Sequence, residues 1–437
     1  MQDIKRETRI IYEVIYTPDK YYFKNFKCFR GEQCIEIAPI MVLVGPNSGG
    51  KSSILQAITI LHSVFEYNNT IAIARDTLEY YQDDIERWET FKKSFKEEIG
   101  LFDEIINFDA KNHEVFIKLE GKLETIIREE TADYETISDI DICTAIKIPG
   151  TEVLTVKKHY DNRIEIEAPI SKTKEGGPNY DKPKIKIGNQ EYEFSSIFNE
   201  DDNTEILGCK KIKIGETLMR YFSYSYIYAD RLKFERYCKE YPREFDGLYS
   251  IRYVMESLSK WLSEFGVAKE LKIKELNLRD EKEFVREKYY SIYIIDDNNN
   301  EVNIRSSGYG VSKILRMLIK IFTTSGFFMI EEPEANIHPT MQRKLADLFV
   351  EEAKSERKFI LETHSEHLVR GLQLAVAQKR IKHSDIAIYY IDKNEKCQIK
   401  RMEMDELGEF YEEWPNEFYS AGDVLAFELF KAQNSKN

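Results

Sequence analysis

A glycine-rich turn between two apolar segments constrains the fold of this chain more than any other feature. Residues 40–44 form a continuous apolar run, which is typical of a strand buried on both faces. Residues 45–52 read GPNSGGKS and satisfy the pattern GxxxxGK[ST], and residues 54–61 have the composition of a helix. The sequence therefore predicts a βα unit of an α/β fold, with an anion site at the turn.

The residue types in this turn suit a bound phosphate. Glycines let the backbone bend so that successive N–H groups face an anion, and Lys51 is a mobile cation for the β and γ oxygens. The hydroxyl of Ser52 is a candidate Mg²⁺ ligand. The predicted nucleotide-binding residues here are Gly45, Pro46, Asn47, Ser48, Gly49, Gly50, Lys51, Ser52 and Ser53. The alternative is a glycine turn with only a structural role.

An acidic pair ends a second apolar run. Residues 327–334 read FFMIEEPE. We predict that Glu331 is the Walker B acid, which holds Mg²⁺ directly or through its water shell. Glu332 is then the candidate general base, or the residue that positions the attacking water. Apolar strands followed by acids are common, so this interpretation depends on the turn at residues 45–52.

Two further motifs lie on either side of the acidic pair. Ser307, Gly308 and Gly310 open a predicted helix and form a candidate anion site at its N-terminus. His364 follows a short apolar run and is a candidate contact for a γ-phosphate or for the attacking water.

Two alternatives are open for His364. It is a ligand of a metal site together with His367 and Glu366, although the spacing is not HExxH. Otherwise it is a hydrogen-bonded structural histidine.

The order of these motifs resembles ABC-type ATPases, and within them the bacterial branch of the OLD, SMC and RecF-like proteins. The resemblance includes residues 25–29 (NFKCF), 331–339 (EEPEANIHP), 362–368 (ETHSEHL) and 414–415 (WP). It implies an α/β fold, namely an ABC-type P-loop ATPase head with a mixed α+β insertion. It also implies similarity to stand-alone ATPase subunits of anti-phage systems of the Septu or PARIS type, which work with a separate nuclease or effector.

The resemblance assigns roles to residues of this chain. It makes Ser307, Gly308 and Gly310 the signature turn, which in that family contacts the γ-phosphate bound by the opposite subunit. It makes His364 the switch histidine and residues 334–336 the D-loop. These roles imply a homodimer or a higher homo-oligomer that closes around ATP and Mg²⁺.

Three departures from the family pattern concern the same site. Glu331 stands where many relatives have Asp, which makes the acid one methylene longer. The signature reads Ser-Gly-Tyr-Gly rather than Ser-Gly-Gly. Gln82 is the Q-loop candidate only by default.

The chain is predicted to have three parts. Residues 1–75 form an ATPase lobe with Walker A, and residues 76–225 form a mixed helical and β insertion. Residues 226–437 form an ATPase lobe with the signature turn, Walker B and the switch histidine. The amphipathic pattern at residues 83–98 predicts a helix within the insertion. No clustered acids of a Toprim domain follow His364, so no nuclease is predicted in this chain.

Composition excludes several other classes. The net charge of −14, from 63 basic and 77 acidic residues, disfavours a protein that coats duplex DNA. No run approaches the ~20 apolar residues that cross a bilayer, and the first residues do not form a signal peptide. Six scattered cysteines without a CxxC pair predict a reduced, cytoplasmic protein without membrane partners.

The predicted function is an ATP-binding and hydrolysing subunit of an anti-phage complex that controls a partner effector or nuclease. Hydrolysis is expected to be slow, and a phage-encoded component is the candidate trigger. The alternative is a RecF/SMC-like DNA-repair ATPase that binds DNA in an ATP-dependent way, with residues 172–186 as local contacts. A transporter subunit and a non-catalytic scaffold are the less favoured classes.

Overall fold

The computed structural model describes most of the chain in two compact units. Unit 1 comprises Met1–Glu36 and Ala57–Phe222, and unit 2 comprises Ile37–Gln56 and Ser223–Asn437. The predicted helix at residues 83–98 and Gln82 lie outside the described residues. The described residues are 4–74, 115–139, 142–147, 153–172, 178–180, 184–193, 197, 205–207, 209–210, 214–215, 217–218, 224–227, 252–279, 286–324, 326–355, 357–392, 397–415 and 418.

Strands and helices alternate in unit 2, whereas strands dominate the described part of unit 1. The helices are α1 (Lys51–Ala74), α2 (Arg252–Glu264), α3 (Tyr309–Thr323), α4 (Pro339–Ala353) and α5 (Glu366–Ala377). The strands are β1 (Ile4–Lys24), β2 (Glu32–Glu36), β3 (Ile40–Val44), β4 (Val115–Asp139), β5 (Ile142–Lys147), β6 (Val153–Lys172), β7 (Pro178–Tyr180), β8 (Lys184–Ile187), β9 (Gln190–Glu193), β10 (Glu205–Ile206), β11 (Cys209–Lys210), β12 (Tyr224–Ile227), β13 (Glu270–Arg279), β14 (Arg286–Ile295), β15 (Glu301–Asn303), β16 (Phe327–Glu331), β17 (Lys358–Glu362), β18 (Ile386–Ile391) and β19 (Ile399–Met402).

The main sheet of unit 1 is antiparallel and has the order β2-β1-β4-β6-β8-β9. Strands β1 and β4 pair from Ile4 opposite Glu135 to Lys24 opposite Phe116. This sheet joins the N-terminal strands to strands of the predicted insertion, because long alternating segments can pair along their whole length. The sequence analysis assigned the N-terminal strands to residues 1–75 and the other strands to the insertion at residues 76–225. The functions given to the three predicted parts stay predictions.

The main sheet of unit 2 positions the predicted motifs. Its order is β12-β16-β17-β3-β18-β19, and the strands are parallel except at the β18–β19 pair. The two apolar runs named in the sequence analysis are buried strands, since every residue of β3 is buried and so are residues 327–330 of β16. Parallel strands end at one edge of a sheet, so the segments that follow β3, β16 and β17 lie side by side.

Helices α2 to α5 contribute to one hydrophobic core with this sheet. The ring centroids of Phe328 and Phe359 are 5.4 Å apart, and those of Phe349 and Phe359 are 5.1 Å apart. Burying each such ring stabilises the fold by about 1.5–3 kcal/mol. No helix in the part of the chain that the structure describes has both the length and the apolar character that a bilayer crossing requires.

Candidate nucleotide-binding site

The turn after β3 has the backbone conformation that the glycine pattern predicts. Gly45, Ser48 and Gly50 have φ angles of +143°, +60° and +106°. A Cβ atom on Gly45 would lie 2.4 Å from the carbonyl oxygen of Ile391. Glycine is therefore required at position 45 by both the φ angle and the close approach of β18.

The remaining residues of the turn support this shape. The Gly49 amide donates to the Pro46 carbonyl at 3.1 Å. Asn47 and Ser48 are exposed at the tip, and Ser53 is half-buried in the first turn of α1. The turn thus lies directly at the N-terminus of α1, where backbone N–H groups attract an anion.

Lys51 folds back over the turn and is almost fully buried, with 3% of its surface exposed. Its Nζ donates to the carbonyl oxygens of Gly45 at 3.1 Å and Pro46 at 3.0 Å. Burial lowers the pKa of Lys51, and the charge of Glu362 opposes this shift.

The carboxylate that contacts Lys51 and Ser52 is Glu362, a residue to which the sequence analysis assigned no role. Its Oε1 accepts a hydrogen bond from Ser52 Oγ at 3.0 Å and lies 3.9 Å from Lys51 Nζ. Burial raises the pKa of Glu362 to about 7, although Ser52 and Lys51 oppose the shift. The signal was present, because Glu362 ends an apolar run just as Glu331 does.

The two predicted acids lie beside Glu362 at the sheet edge. Glu331 ends β16 opposite Glu362 of β17 in the strand register. Glu332 follows with a φ angle of +39°, a conformation that costs about 1–3 kcal/mol and occurs at functional sites. Its amide donates to the Glu362 carbonyl at 2.7 Å. The acidic turn is therefore held in a strained but well-defined position.

Two buried residues, Lys313 and Glu334, make hydrogen bonds at the acidic turn, and the sequence analysis gave no role to Lys313. Lys313 of α3 donates from Nζ to the Glu332 carbonyl at 2.5 Å, and burial lowers its pKa. Glu334 accepts from the His364 amide through Oε1 at 2.7 Å, and burial raises its pKa. The second oxygen of Glu334 is buried without a hydrogen-bond partner. Nothing in the spacing of Lys313 indicated that it would reach the acidic turn.

His364 extends from the end of β17 with an exposed side chain. Packing around the ring and the charge of Lys51 lower its pKa, and Glu332 opposes them. The imidazole therefore belongs electrostatically to the same site as Lys51 and Glu332. Among the described residues, no group of three or more His, Cys, Asp or Glu side chains can hold a metal ion. The alternative of a metal site made by His364, His367 and Glu366 is therefore wrong.

The predicted signature turn begins α3. Gly308 is the N-cap residue, and a Cβ atom there would meet nothing within 4 Å. A Cβ on Gly310 would instead lie 2.4 Å from the carbonyl oxygen of Asn336. Ser307 Oγ donates to the Ile304 carbonyl at 2.5 Å. Among the described residues, no hydrogen bond of Ser307, Gly308 or Gly310 reaches residues 45–52 of the same chain.

Polar side chains also connect the segment at 334–337 to the start of α5. Gln342 donates through Nε2 to the Ile337 carbonyl at 2.9 Å, and its Oε1 accepts from Ser365 Oγ at 2.7 Å. Ser365 caps α5 by accepting from the Leu368 amide at 3.1 Å. This network links the predicted D-loop to the segment that carries His364.

The strand order, the turn at 45–52 and the acidic turn define a P-loop ATPase fold with a mixed α/β composition. A family model described as "AAA domain, putative AbiEii toxin, Type IV TA system" matches residues 40–370. The chain belongs to this family.

The chain is also distantly similar to solved structures. The SMC head domain from Thermotoga maritima is 13% identical, with 89% of this chain and 99% of that chain covered and a TM-score of 0.41. An Smc head domain with an extended coiled coil, bound to the C-terminal domain of ScpA and derived from Pyrococcus furiosus, is 10% identical. The match covers 89% of this chain and 97% of the Smc chain, with a TM-score of 0.42. No curated protein matches the chain.

Proposed function

We propose that this protein binds ATP–Mg²⁺ at residues 45–53 and hydrolyses it slowly. The observation that carries the proposal is the convergence of Lys51, Ser52, the acidic turn and His364 at one edge of a parallel sheet. Backbone N–H groups at the start of α1 attract the β-phosphate, and Lys51 exchanges its two carbonyl partners for phosphate oxygens.

The residues present fit a Mg²⁺ ion. Ser52 and Glu331 are the proposed ligands, and the buried oxygen of Glu362 without a hydrogen-bond partner supports a cation beside them. Mg²⁺ usually takes one or two carboxylates together with phosphate oxygens and water, so it needs no preformed cage of protein ligands. When bound, the ion neutralises charge on the phosphates and orients them.

Glu332 is the proposed general base or water-positioning residue. Its strained backbone is fixed by the Glu362 carbonyl and by Lys313, and a fixed backbone at this position supports the role. His364 is the proposed γ-phosphate contact. Its lowered pKa favours the neutral imidazole, which both donates and accepts a hydrogen bond.

A homodimer, or a higher homo-oligomer, completes the proposed site. The N-terminus of α3 is open at Gly308, and this supports contact between Ser307, Gly308 and Gly310 and the γ-phosphate bound by the other chain. The proposed D-loop at residues 334–336 packs against Gly310, so closure of the dimer would reach the acidic turn and His364 through Glu334.

The proposed biological role is control of a separate effector or nuclease in an anti-phage system of the Septu or PARIS type, with a phage-encoded trigger. The description of the family as a putative toxin of a type IV system supports a role in conflict between cell and invader. The net charge of −14 supports protein partners over direct nucleic-acid binding. Phage plating on cells that carry the native gene neighbourhood tests the role, with loss of protection expected for Lys51→Ala and unchanged protection as the contrary result.

Glu332→Gln tests the ATPase proposal. The variant retains the shape of the side chain but loses the base, so we expect Mg²⁺-dependent ATP hydrolysis to fall by about 100-fold or more while ATP still binds. Because ATP persists in the site, light scattering should show the molar mass of a dimer or a larger oligomer.

Glu351→Gln is the matched control, since it removes an exposed carboxylate of the same unit that pairs with Lys260 at 2.7 Å. Its hydrolysis rate should equal that of the wild type. Equal rates for Glu332→Gln and the wild type would contradict the assignment.

A further inference from the structure

We propose that Glu362 is a metal-facing carboxylate of the nucleotide site, and that it holds Ser52 and Lys51 only until metal and nucleotide arrive. This inference rests on the proposed function, because it concerns how the same site takes up Mg²⁺. It assigns a role to a residue that the P-loop and the acidic pair do not include.

The position of Glu362 follows from the sheet order. Strand β17 lies between β16, which ends at Glu331, and β3, which leads into the turn at 45–52. A carboxylate at the end of this middle strand is therefore next to both the predicted Walker B acid and the turn that holds phosphate. Among the described carboxylates, Glu362 is the one recorded in contact with both Lys51 and Ser52.

The two oxygens of Glu362 have different surroundings. Oε1 accepts from Ser52 Oγ at 3.0 Å and lies 3.9 Å from Lys51 Nζ. Oε2 is fully buried without a hydrogen-bond partner, and only 6% of the residue is exposed. A buried carboxylate oxygen without a donor is unfavourable, and a cation or its bound water would satisfy it.

The Glu362 carboxylate and the nucleotide phosphates would compete for Lys51 and Ser52, and this competition explains why the metal and Glu362 would act together. Lys51 and Ser52 are the residues that bind phosphate and Mg²⁺ in a P-loop, and both now face Glu362. Phosphate oxygens would be repelled by the Glu362 carboxylate unless a cation lies between them. Glu362 thus makes nucleotide binding depend on the metal.

A purely structural role gives a different expectation. If Glu362 only braces Lys51 and Ser52, then its loss weakens nucleotide binding equally with and without metal. The two roles are separated by the metal factor, which we define as the Kd for AMP-PNP in EDTA divided by the Kd in excess Mg²⁺.

The test is isothermal titration calorimetry of AMP-PNP on the full chain. In buffer above the Glu362 pKa of about 7, Glu362→Gln retains the size of the side chain and removes its charge. Binding in EDTA should then tighten and the metal factor should fall at least tenfold, equivalent to about 1.4 kcal/mol. A metal factor within twofold of the wild-type value would overturn the proposal.

Two further variants keep the test decisive. Glu352→Gln removes another buried carboxylate of the same unit, paired with Arg357 at 2.7 Å, and should leave the metal factor unchanged. Glu362→Asp retains the charge but shortens the side chain, so its metal factor should lie between those of the wild type and Glu362→Gln. If Glu362→Gln does not fold, the Asp variant decides, and a wild-type metal factor in it overturns the proposal.

Failure of this inference differs from failure of the proposed function. If the wild type binds AMP-PNP neither in Mg²⁺ nor in EDTA, then the proposed function fails. If the wild type binds with a large metal factor that Glu362→Gln retains, then only the role of Glu362 fails.

Discussion

Two clusters of charged side chains, one in each unit, have opposite surroundings. In unit 1, Glu120 accepts from Lys118 at 2.6 Å, Tyr22 at 3.0 Å and Arg163 at 3.1 Å, and Arg163 also donates to Asp19 at 2.6 Å. In unit 2, the carboxylates of Glu334 and Glu362 are buried, and each has one oxygen without a partner. The first arrangement satisfies its charges internally, and the second leaves negative charge unsatisfied.

The pKa shifts of the acids show the consequence. Burial opposes ionisation of Glu120, but the hydrogen bond from Lys118 and the other partners outweigh it and lower the pKa. Burial raises the pKa of Glu334 and that of Glu362. Ionised Glu120 therefore stabilises the fold, whereas the ionised forms of Glu334 and Glu362 destabilise it. Unsatisfied buried charge is typical of sites that are completed by a ligand.

The edge of unit 2 that carries the proposed site is closely packed at Gly310, and an added methyl group tests this packing. Gly310→Ala places a Cβ atom 2.4 Å from the Asn336 carbonyl. We expect the free energy of unfolding of unit 2, measured in urea, to fall by about 1–3 kcal/mol. We also expect hydrolysis to fall, because the segment at 334–336 must move.

Gly308→Ala is the matched control for stability, since a Cβ there meets nothing within 4 Å and the φ angle is −60°. Its free energy of unfolding should lie within about 0.5 kcal/mol of the wild-type value. Equal stability of the two alanine variants would contradict the proposed packing of the segment at 334–336 against α3.

Glu120→Gln tests whether the hydrogen-bonded carboxylate of Glu120 stabilises unit 1. The folded-state pKa of Glu120 is lowered below its ordinary value of 4.5, so its stabilisation is present above pH 4.5 and is lost as the pH falls through the folded-state pKa. We expect the variant to lose about 1–2 kcal/mol at pH 7 and progressively less in acid, measured by urea unfolding.

Glu191→Gln is the control for this prediction, because it removes an exposed carboxylate of the same unit. Its free energy of unfolding should stay within about 0.5 kcal/mol of the wild-type value at pH 7 and in acid. A loss for Glu120→Gln that does not depend on pH would show that the ionised form is not what stabilises unit 1.

Glu334→Gln tests the unsatisfied charge of unit 2 and should have the smallest effect. The folded-state pKa of Glu334 is raised above 4.5, so its contribution to stability is greatest below pH 4.5 and is lost as the pH rises through the folded-state pKa. The Gln side chain can still accept from the His364 amide. We therefore expect Glu334→Gln to become more stable than the wild type by about 1 kcal/mol or less as the pH rises above 4.5, measured by urea unfolding. The same pH trend in Glu334→Gln and Glu120→Gln would remove the difference between the units.

Local pattern was enough to predict the P-loop and its neighbours. The turn at 45–52 is specified by adjacent residues, namely a buried strand, glycines with positive φ and a helix. Glu331 and His364 could be predicted because each ends an apolar strand, and their roles remain predictions. The order of parallel strands, which brings these ends together, depends on tertiary packing.

Contacts between distant segments could not be predicted. The pairing of Lys313 with the acidic turn and of Gly310 with Asn336 depends on how α3 packs against the sheet. The long β1–β4 ladder depends on which alternating strand finds which partner, and many such pairings satisfy the same pattern. The role of Glu362 could not be predicted because it depends on β17 lying between β16 and β3, which brings Glu362 to Lys51 and Ser52.

Equilibrium binding of Mg²⁺–ATP to the wild type and to Lys51→Ala tests the proposed nucleotide site most directly. The wild type should bind one nucleotide per chain, and the variant should bind at least about 100-fold more weakly, because two charge-assisted hydrogen bonds are lost. Lys400→Ala, which removes an exposed lysine paired with Glu412 at 2.5 Å, should bind like the wild type. Equal affinity of the wild type and Lys51→Ala, or no binding by the wild type, would contradict the assignment of residues 45–53 as a nucleotide site.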